Sequence, residues 1–280
     1  ASSGCMQLAL PVTGNVPPTA WHAGLNATSN FDRDWTFARF GPQADDTVIP
    51  EPRDVAAADF NDAAWRKLDL PHDFGVESPF RLELAGETGK LPWRGIGWYR
   101  KHFAAPDAGK RVFVDFDGAM AYAEVWCNGQ KAGAWPYGYN SFRVDVTPFL
   151  HVGGDNVLAV RVDTTKWDSR WYPGAGIYRH VWLTKTDPIH VAHWGTYITT
   201  PKITPQEGLA RIAVTVDNQS SAPVRAVVCA DILVLSDDGT PGPKVAESKP
   251  ITLELAPAQS GEAVLEAPVA APRLWSLEDP

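Results

Sequence analysis

Ala123-Glu124-Val125-Trp126-Cys127-Asn128-Gly129, continuing into Gln130-Lys131-Ala132-Gly133-Ala134-Trp135, decides the fold. Apolar and polar residues alternate through Cys127, the two-residue period of a half-buried strand. Asn128-Gly129 then offers two residues that tolerate positive φ, the demand of a tight hairpin turn, and a partner strand runs from Lys131 to Trp135. Cys127 closes the first strand as a small core residue. The same period spreads outward in both directions. Before the hairpin lie Gly97-Trp98-Tyr99-Arg100-Lys101-His102-Phe103 and Arg111-Val112-Phe113-Val114-Asp115-Phe116, the latter ended by Gly118. After it lie Ser141-Phe142-Arg143-Val144-Asp145-Val146, stopped by Thr147-Pro148, then Asn156 to Val162 and Val181 to Thr184. Short strands with turns between them and almost no helical period imply a sandwich or jelly roll, not a βαβ fold.

Working back toward the N-terminus, order is expected from Phe31-Asp32-Arg33-Asp34-Trp35-Thr36-Phe37, so the first domain is placed at 31–187. Residues 1–30 are rich in Pro, Gly, Ser and Thr without periodicity and read as an extended or disordered lead-in. The segment 41–58 reads as a polar loop with no assignable role. Phe60 to Trp65 suggests a single helical turn, and Leu70-Pro71-His72-Asp73-Phe74 a structural corner.

Toward the C-terminus a second unit is expected over 188–271. Ile189–Val191, Thr196–Thr200, Ala210–Asn218, a long strand Val224–Val234, Ile251–Leu255 and Glu262–Glu266 alternate with turns, among them Ser236-Asp237-Asp238-Gly239. Roughly seven strands in roughly 90 residues fit an immunoglobulin-like sandwich without its disulfide. Residues 272–280, with Leu274-Trp275-Ser276, form a Pro-bounded connector. The fold class is therefore all-β, a jelly roll followed by an immunoglobulin-like sandwich.

Composition narrows the function classes. The 280 residues carry a formal charge of −8, and no Lys/Arg cluster offers the basic face that nucleic acid requires. No apolar run approaches the ~20 residues of a membrane span. Cys5, Cys127 and Cys229 are odd in number and widely spaced, with no CxxC or Cys/His ligand pattern, so neither metal nor cofactor is expected. Small residues before Cys5 leave two readings open: an export signal with lipid attachment at that cysteine, or a cloning scar. Twelve Trp is a surplus. An indole face suits the C–H face of a sugar ring, although it equally fills a sandwich core.

The chemistry concentrates in 163–183, where Trp167, Asp168, Arg170, Trp171, Tyr172, Tyr178 and Arg179 surround Pro173-Gly174-Ala175-Gly176. An aromatic, charged loop between two strands is a typical binding position. Arg170 presents a planar fork of donors, Asp168 accepts hydrogen bonds, and Trp171 offers a face for stacking. The competing interpretation has the arginines in ion pairs that hold the loop; for Tyr178 and Arg179, where strand pairing resumes, it is preferred.

This loop resembles the Ser-Arg-Trp-Tyr-x-Gly-x-Gly-Ile-Tyr-Arg segment of family 2 glycoside hydrolases, the β-galactosidases above all. Leu70-Pro71-His72-Asp73-Phe74, Gly97-Trp98-Tyr99-Arg100-Lys101, Val125-Trp126-Cys127-Asn128-Gly129, Gly138-Tyr139-Asn140-Ser141-Phe142 and Asp145-Val146-Thr147-Pro148-Phe149-Leu150 follow the family's motifs in order. The resemblance implies a jelly-roll sugar-binding domain and an immunoglobulin-like domain leading to a TIM barrel. The barrel would hold two glutamates about 5–5.5 Å apart for retaining hydrolysis of terminal β-galactosides. None of this chain's residues matches those glutamates, so no catalytic residue is expected here and the polypeptide alone is expected to be inactive. Its partners would be a β-galactoside and the barrel domain. By the same resemblance Arg170 and Asp168 contact galactose hydroxyls with Trp171 in support, whereas His72 and Asp73 are structural. The alternative is a stand-alone carbohydrate-binding module.

Overall fold

The computed structural model describes residues 26–104, 108–166, 169–236 and 238–277. Residues 1–25, and with them Cys5, lie outside the described residues, as do Trp167, Asp168 and 278–280. The described chain is all-β and separates into two compact units, Thr28–Lys185 and the residues from Thr186 onward.

The first unit is built from β1 (Asn26–Asn30), β2 (Trp35–Pro42), β3 (Val48–Ile49), β4 (Arg66–Leu68), β5 (Ile96–Ala104), β6 (Arg111–Phe116), β7 (Ala123–Cys127), β8 (Gln130–Trp135), β9 (Phe142–Asp145), β10 (Asp155–Asp163) and β11 (Val181–Thr186). One sheet runs β1-β11-β6-β9; the other runs β3-β2-β5-β10-β7-β8, with β4 also pairing β2. The Asn128-Gly129 hairpin forms as its sequence dictates, with φ of 51° and 79° at the two turn residues. Between the sheets, one face of each strand contributes Trp35, Tyr99, Val114, Phe116, Val125, Leu158, Val160 and Val181 to a single core. Each fully buried side chain of this kind contributes about 1.5–3 kcal/mol.

β1 lies inside the expected lead-in, five residues before the expected start of order at Phe31. Its sequence Asn-Ala-Thr-Ser-Asn has no apolar period to read, and pairing with β11 supports it. The Thr28 and Thr184 hydroxyls meet at 3.1 Å, and Phe31 N donates to Val181 O at 2.9 Å.

The segment 41–65 acquires a role that its polar sequence hides. It covers the outer face of the larger sheet, where Val55, Phe60 and Trp65 pack over Phe40, Trp98 and Ala159. Two groups fasten it. Glu51 accepts from Trp98 Nε1 at 2.6 Å and from Arg161 Nε and Nη2 at 2.6 and 3.0 Å. Arg100, with no exposed surface, donates from Nη1 to Val55 O at 2.6 Å and Ala57 O at 3.0 Å, and from Nε to Asp62 at 3.1 Å. The Asp62 carboxyl is held below its usual range. Burial opposes its ionisation, but hydrogen bonds from Thr36 and His102 and the charges of His102 and Arg100 outweigh that. The expected helical turn at 60–65 is instead a plain turn, closed by Trp65 N donating to Asp62 O, and β4 follows directly.

In the second unit β12 (Ile189–Ile203), β13 (Glu207–Asn218) and β18 (Gln259–Ala270) form one sheet. Two hairpin-like pairs accompany it: β14 (Val224–Val228) with β17 (Ile251–Leu255), and β15 (Asp231–Leu235) with β16 (Pro241–Glu247). The expected long strand Val224–Val234 is thus two strands with different partners. The break falls at Ala230, whose N and O bond to Ser248 and so redirect the chain. Ile212, Val214, Val216, Val228, Leu255 and Leu265 make the core of this immunoglobulin-like sandwich. Buried Asn218 ties two turns together, its Nδ2 donating to Ala222 O at 2.9 Å and Ala256 O at 3.0 Å.

The tryptophans divide by position. Trp35, Trp93 and Trp98 are core, whereas Trp135, Trp171, Trp194 and Trp275 are exposed. No helix among the described residues is long and apolar enough to cross a membrane.

Candidate functional site

The loop between β10 and β11 is held at its base by two neighbouring segments. Met120 and Gly176 exchange backbone hydrogen bonds at 2.9 and 3.0 Å. On the other side His72 N donates to Ile177 O, and Phe74 N to Ala175 O, both at 2.8 Å. Residues 173–177 are therefore buried like a central strand although the sequence reads as a Gly-Pro turn. Gly174 and Gly176 supply the backbone for this, at φ of 89° and 133°.

One carboxylate sets the upper part of the loop. Asp73 Oδ1 accepts from the Tyr172 hydroxyl at 2.6 Å, from Gly75 N at 2.9 Å and from Ala175 N at 3.2 Å. Burial first, and then the hydrogen bond to Asp73 and its charge, push the Tyr172 hydroxyl far above its ordinary pKa, so it remains a donor. Asp73 is a corner residue, as its sequence position implies, and also the anchor of a loop a hundred residues away in the chain. Asp73→Ala leaves three donors without an acceptor and is expected to cost about 2–3 kcal/mol. Tyr172→Phe removes one of those bonds and should cost about 1 kcal/mol. Urea unfolding measures both, and equal losses would overturn the anchor assignment.

Trp171 follows from that anchor. Its Nε1 donates to the Tyr139 hydroxyl at 2.8 Å, and that hydroxyl donates in turn to Pro173 O at 3.3 Å. With its one polar group engaged, the indole has a set orientation, yet 58% of the residue is exposed. What it presents outward is a ring surface. Arg170, its neighbour, is exposed and makes no hydrogen bond or ion pair with a described residue. Asp168, the third expected contact, lies outside the described residues. Arg179 is not ion-paired with a described residue either; its guanidinium lies 5.4 Å from the Tyr178 ring centroid, and the Tyr178 hydroxyl donates to Gly138 O. Among the described residues the loop is fastened by Asp73 and by the backbone of 72–74 and 120. Tyr139 belongs to the site by geometry alone, since it lies more than thirty residues before Trp171 in the chain.

Beneath the corner, His72 is buried with Nδ1 2.7 Å from the Tyr99 hydroxyl; Arg66 Nη2 reaches its Nε2 at 2.6 Å and Glu77 at 2.7 Å. Burial lowers the His72 pKa below its ordinary 6.5, with Arg66 adding to it against the opposing pull of Glu77 and Asp73. The Glu77 carboxyl is also low, because Arg66 and His72 outweigh burial. For both groups the unfolded chain binds the proton more readily, so folding stability falls as pH falls. The thermal midpoint is expected to hold above pH 6.5 and to decline on acidification, first through His72 and, below 4.5, through Glu77. His72→Gln should flatten the first stage; an unchanged slope there in the variant would rule His72 out as its source.

With the geometry in place, comparison with known proteins assigns the family. Residues 29–187 match the model of the glycosyl hydrolases family 2 sugar binding domain. The chain is 39% identical over 260 residues to the β-galactosidase BoGH2A of Bacteroides ovatus, covering 90% of this chain and 28% of that protein. It is 32% identical to a putative β-glucuronidase of Formosa agariphila, covering 90% of this chain and 22% of that protein. Among solved structures it superposes on a family 2 member from Bacteroides cellulosilyticus with a TM-score of 0.77 at 31% identity, covering 90% of this chain and 32% of that one. The chain thus spans between a fifth and a third of the length of these relatives. It belongs to glycosyl hydrolase family 2, whose N-terminal sugar-binding domain occupies residues 29–187.

Proposed function

We propose that this chain supplies the recognition wall of a retaining glycosidase that cleaves terminal β-D-galactosides, with Arg170, Trp171 and Asp168 touching the sugar. The observation that carries this reading is an exposed Arg170, without a hydrogen bond or ion pair to a described residue, beside an indole fixed by Tyr139. A fixed ring face binds one side of a hexopyranose at little entropic cost, and the guanidinium donates to adjacent hydroxyls. The acid/base and nucleophilic carboxylates of such chemistry would come from the part of these enzymes that this chain does not span.

A second reading has a specific observation behind it. A guanidinium fork fits a carboxylate in bidentate fashion better than it fits hydroxyls, so Arg170 equally suits a β-D-glucuronide. Relatives carrying both activity names accord with either sugar. Saturation-transfer NMR and calorimetry with methyl β-D-galactoside and methyl β-D-glucuronide decide between them. Binding of the galactoside is expected near millimolar, about −4 kcal/mol, and Arg170→Ala should weaken it about tenfold. Preference for the glucuronide, lost in the same variant, would replace the first reading with the second. Micromolar binding would favour a stand-alone binding module, and no binding of either sugar would overturn the site.

A further inference from the structure

We propose that the recognition surface continues past Trp171 onto a stepped aromatic platform, Tyr139, Tyr137 and Trp135, that takes the next units of an oligosaccharide; the natural ligand is then a β-linked chain of three or more sugars. This deepens the preceding reading and rests on it. The three rings come from the end of β8 and the turn after it, and the platform is continuous with the site through the Trp171–Tyr139 hydrogen bond. Tyr137 packs edge-to-face with Tyr139 at a centroid distance of 5.6 Å, so the two rings brace each other. Tyr137 is 46% exposed and Trp135 36%.

The platform is braced from below. Trp135 stacks at 15° on Phe142, which stacks at 7° on fully buried Phe116, so its ring is one end of a ladder that reaches the core. Tyr122 N donates to Pro136 O at 3.0 Å, and the Tyr178 hydroxyl donates to Gly138 O at 2.9 Å, fixing the backbone on either side of Tyr137. Rings held in this way lose little freedom when a ligand arrives, the condition under which stacking yields affinity. The occupant follows from composition and shape. Exposed faces of Tyr and Trp suit the alternating C–H and O–H surface of a sugar. The 74° angle between Tyr137 and Tyr139 makes a step, which fits a single soluble chain that turns and not a flat crystalline face.

The test uses the 280-residue protein and β-1,4-linked galactobiose, galactotriose and galactotetraose beside methyl β-D-galactoside, by calorimetry and ligand-observed NMR. Affinity is expected to rise on the order of tenfold from the monosaccharide to the trisaccharide. Tyr137→Ala should remove that rise while leaving the monosaccharide affinity unchanged, and Tyr137→Phe should restore it; circular dichroism confirms that the variants fold. Affinity independent of length, with the monosaccharide still bound through Arg170, would overturn the platform and leave the first site standing. Failure of every sugar to bind would remove both.

Discussion

Arg100→Leu is expected to lower the thermal midpoint of the sugar-binding domain by roughly 6–20 °C, the equivalent of about 3–5 kcal/mol. The leucine occupies much of the stem's volume but removes every donor. Val55 O and Ala57 O then lie buried without their partner, and the Asp62 carboxylate loses the guanidinium beside it. An unpaired buried acceptor costs its full desolvation, whereas the bond that satisfied it contributed only a fraction of that. The cover over Trp98 and Ala159 rests on the same side chain, so detachment of 55–62 also exposes the outer face of the sheet. Differential scanning calorimetry measures the shift. Arg100→Lys, which keeps the charge but cannot reach three acceptors from one nitrogen, should fall between leucine and the parent. A leucine variant melting within 2 °C of the parent would show that 41–65 is held by Glu51 and apolar contact alone.

The same residue shows how far the sequence could be read. Gly97 to Phe103 is legible as a strand because it gathers the strand-favouring aromatics Trp98, Tyr99 and Phe103. That Arg100 and Trp98 share a covered face is not, because the cover is a polar, proline-rich segment held in part through the carbonyl oxygens of Val55 and Ala57, and carbonyls leave no trace in side-chain pattern. β1 was hidden for a related reason: backbone pairing with β11 needs no apolar residues. The loop between β10 and β11 stood out because its residue types are unusual side by side. Its partners did not, since Asp73 and Tyr139 reach it only through the fold. Local chemistry was visible; long-range closure was visible only where several motifs kept a family's order.

Gly176→Ala is expected to be the most damaging change within the loop between β10 and β11, costing about 3–5 kcal/mol and abolishing the proposed sugar binding. Two independent penalties meet there. A φ of 133° lies where an L-residue is strained, and the added Cβ would stand 2.4 Å from the Tyr99 hydroxyl and 2.6 Å from His72 O. Tyr99 is fully buried and tied to His72, and His72 O belongs to the backbone that pairs with Ile177, so neither neighbour can retreat. The loop must move instead. That severs the Met120 pairing, pulls Ala175 N and Tyr172 from Asp73, and releases Trp171 from its set orientation. Gly174→Ala separates the two penalties. Its φ of 89° is also unfavourable, but its added Cβ would find Asp73 Oδ2 no nearer than 3.6 Å, so it should cost about 1–2 kcal/mol and keep sugar binding. Urea unfolding and Trp emission read stability and indole environment together. If the two alanine variants are equally stable and both still bind sugar, close approach at Gly176 is not what shapes this loop.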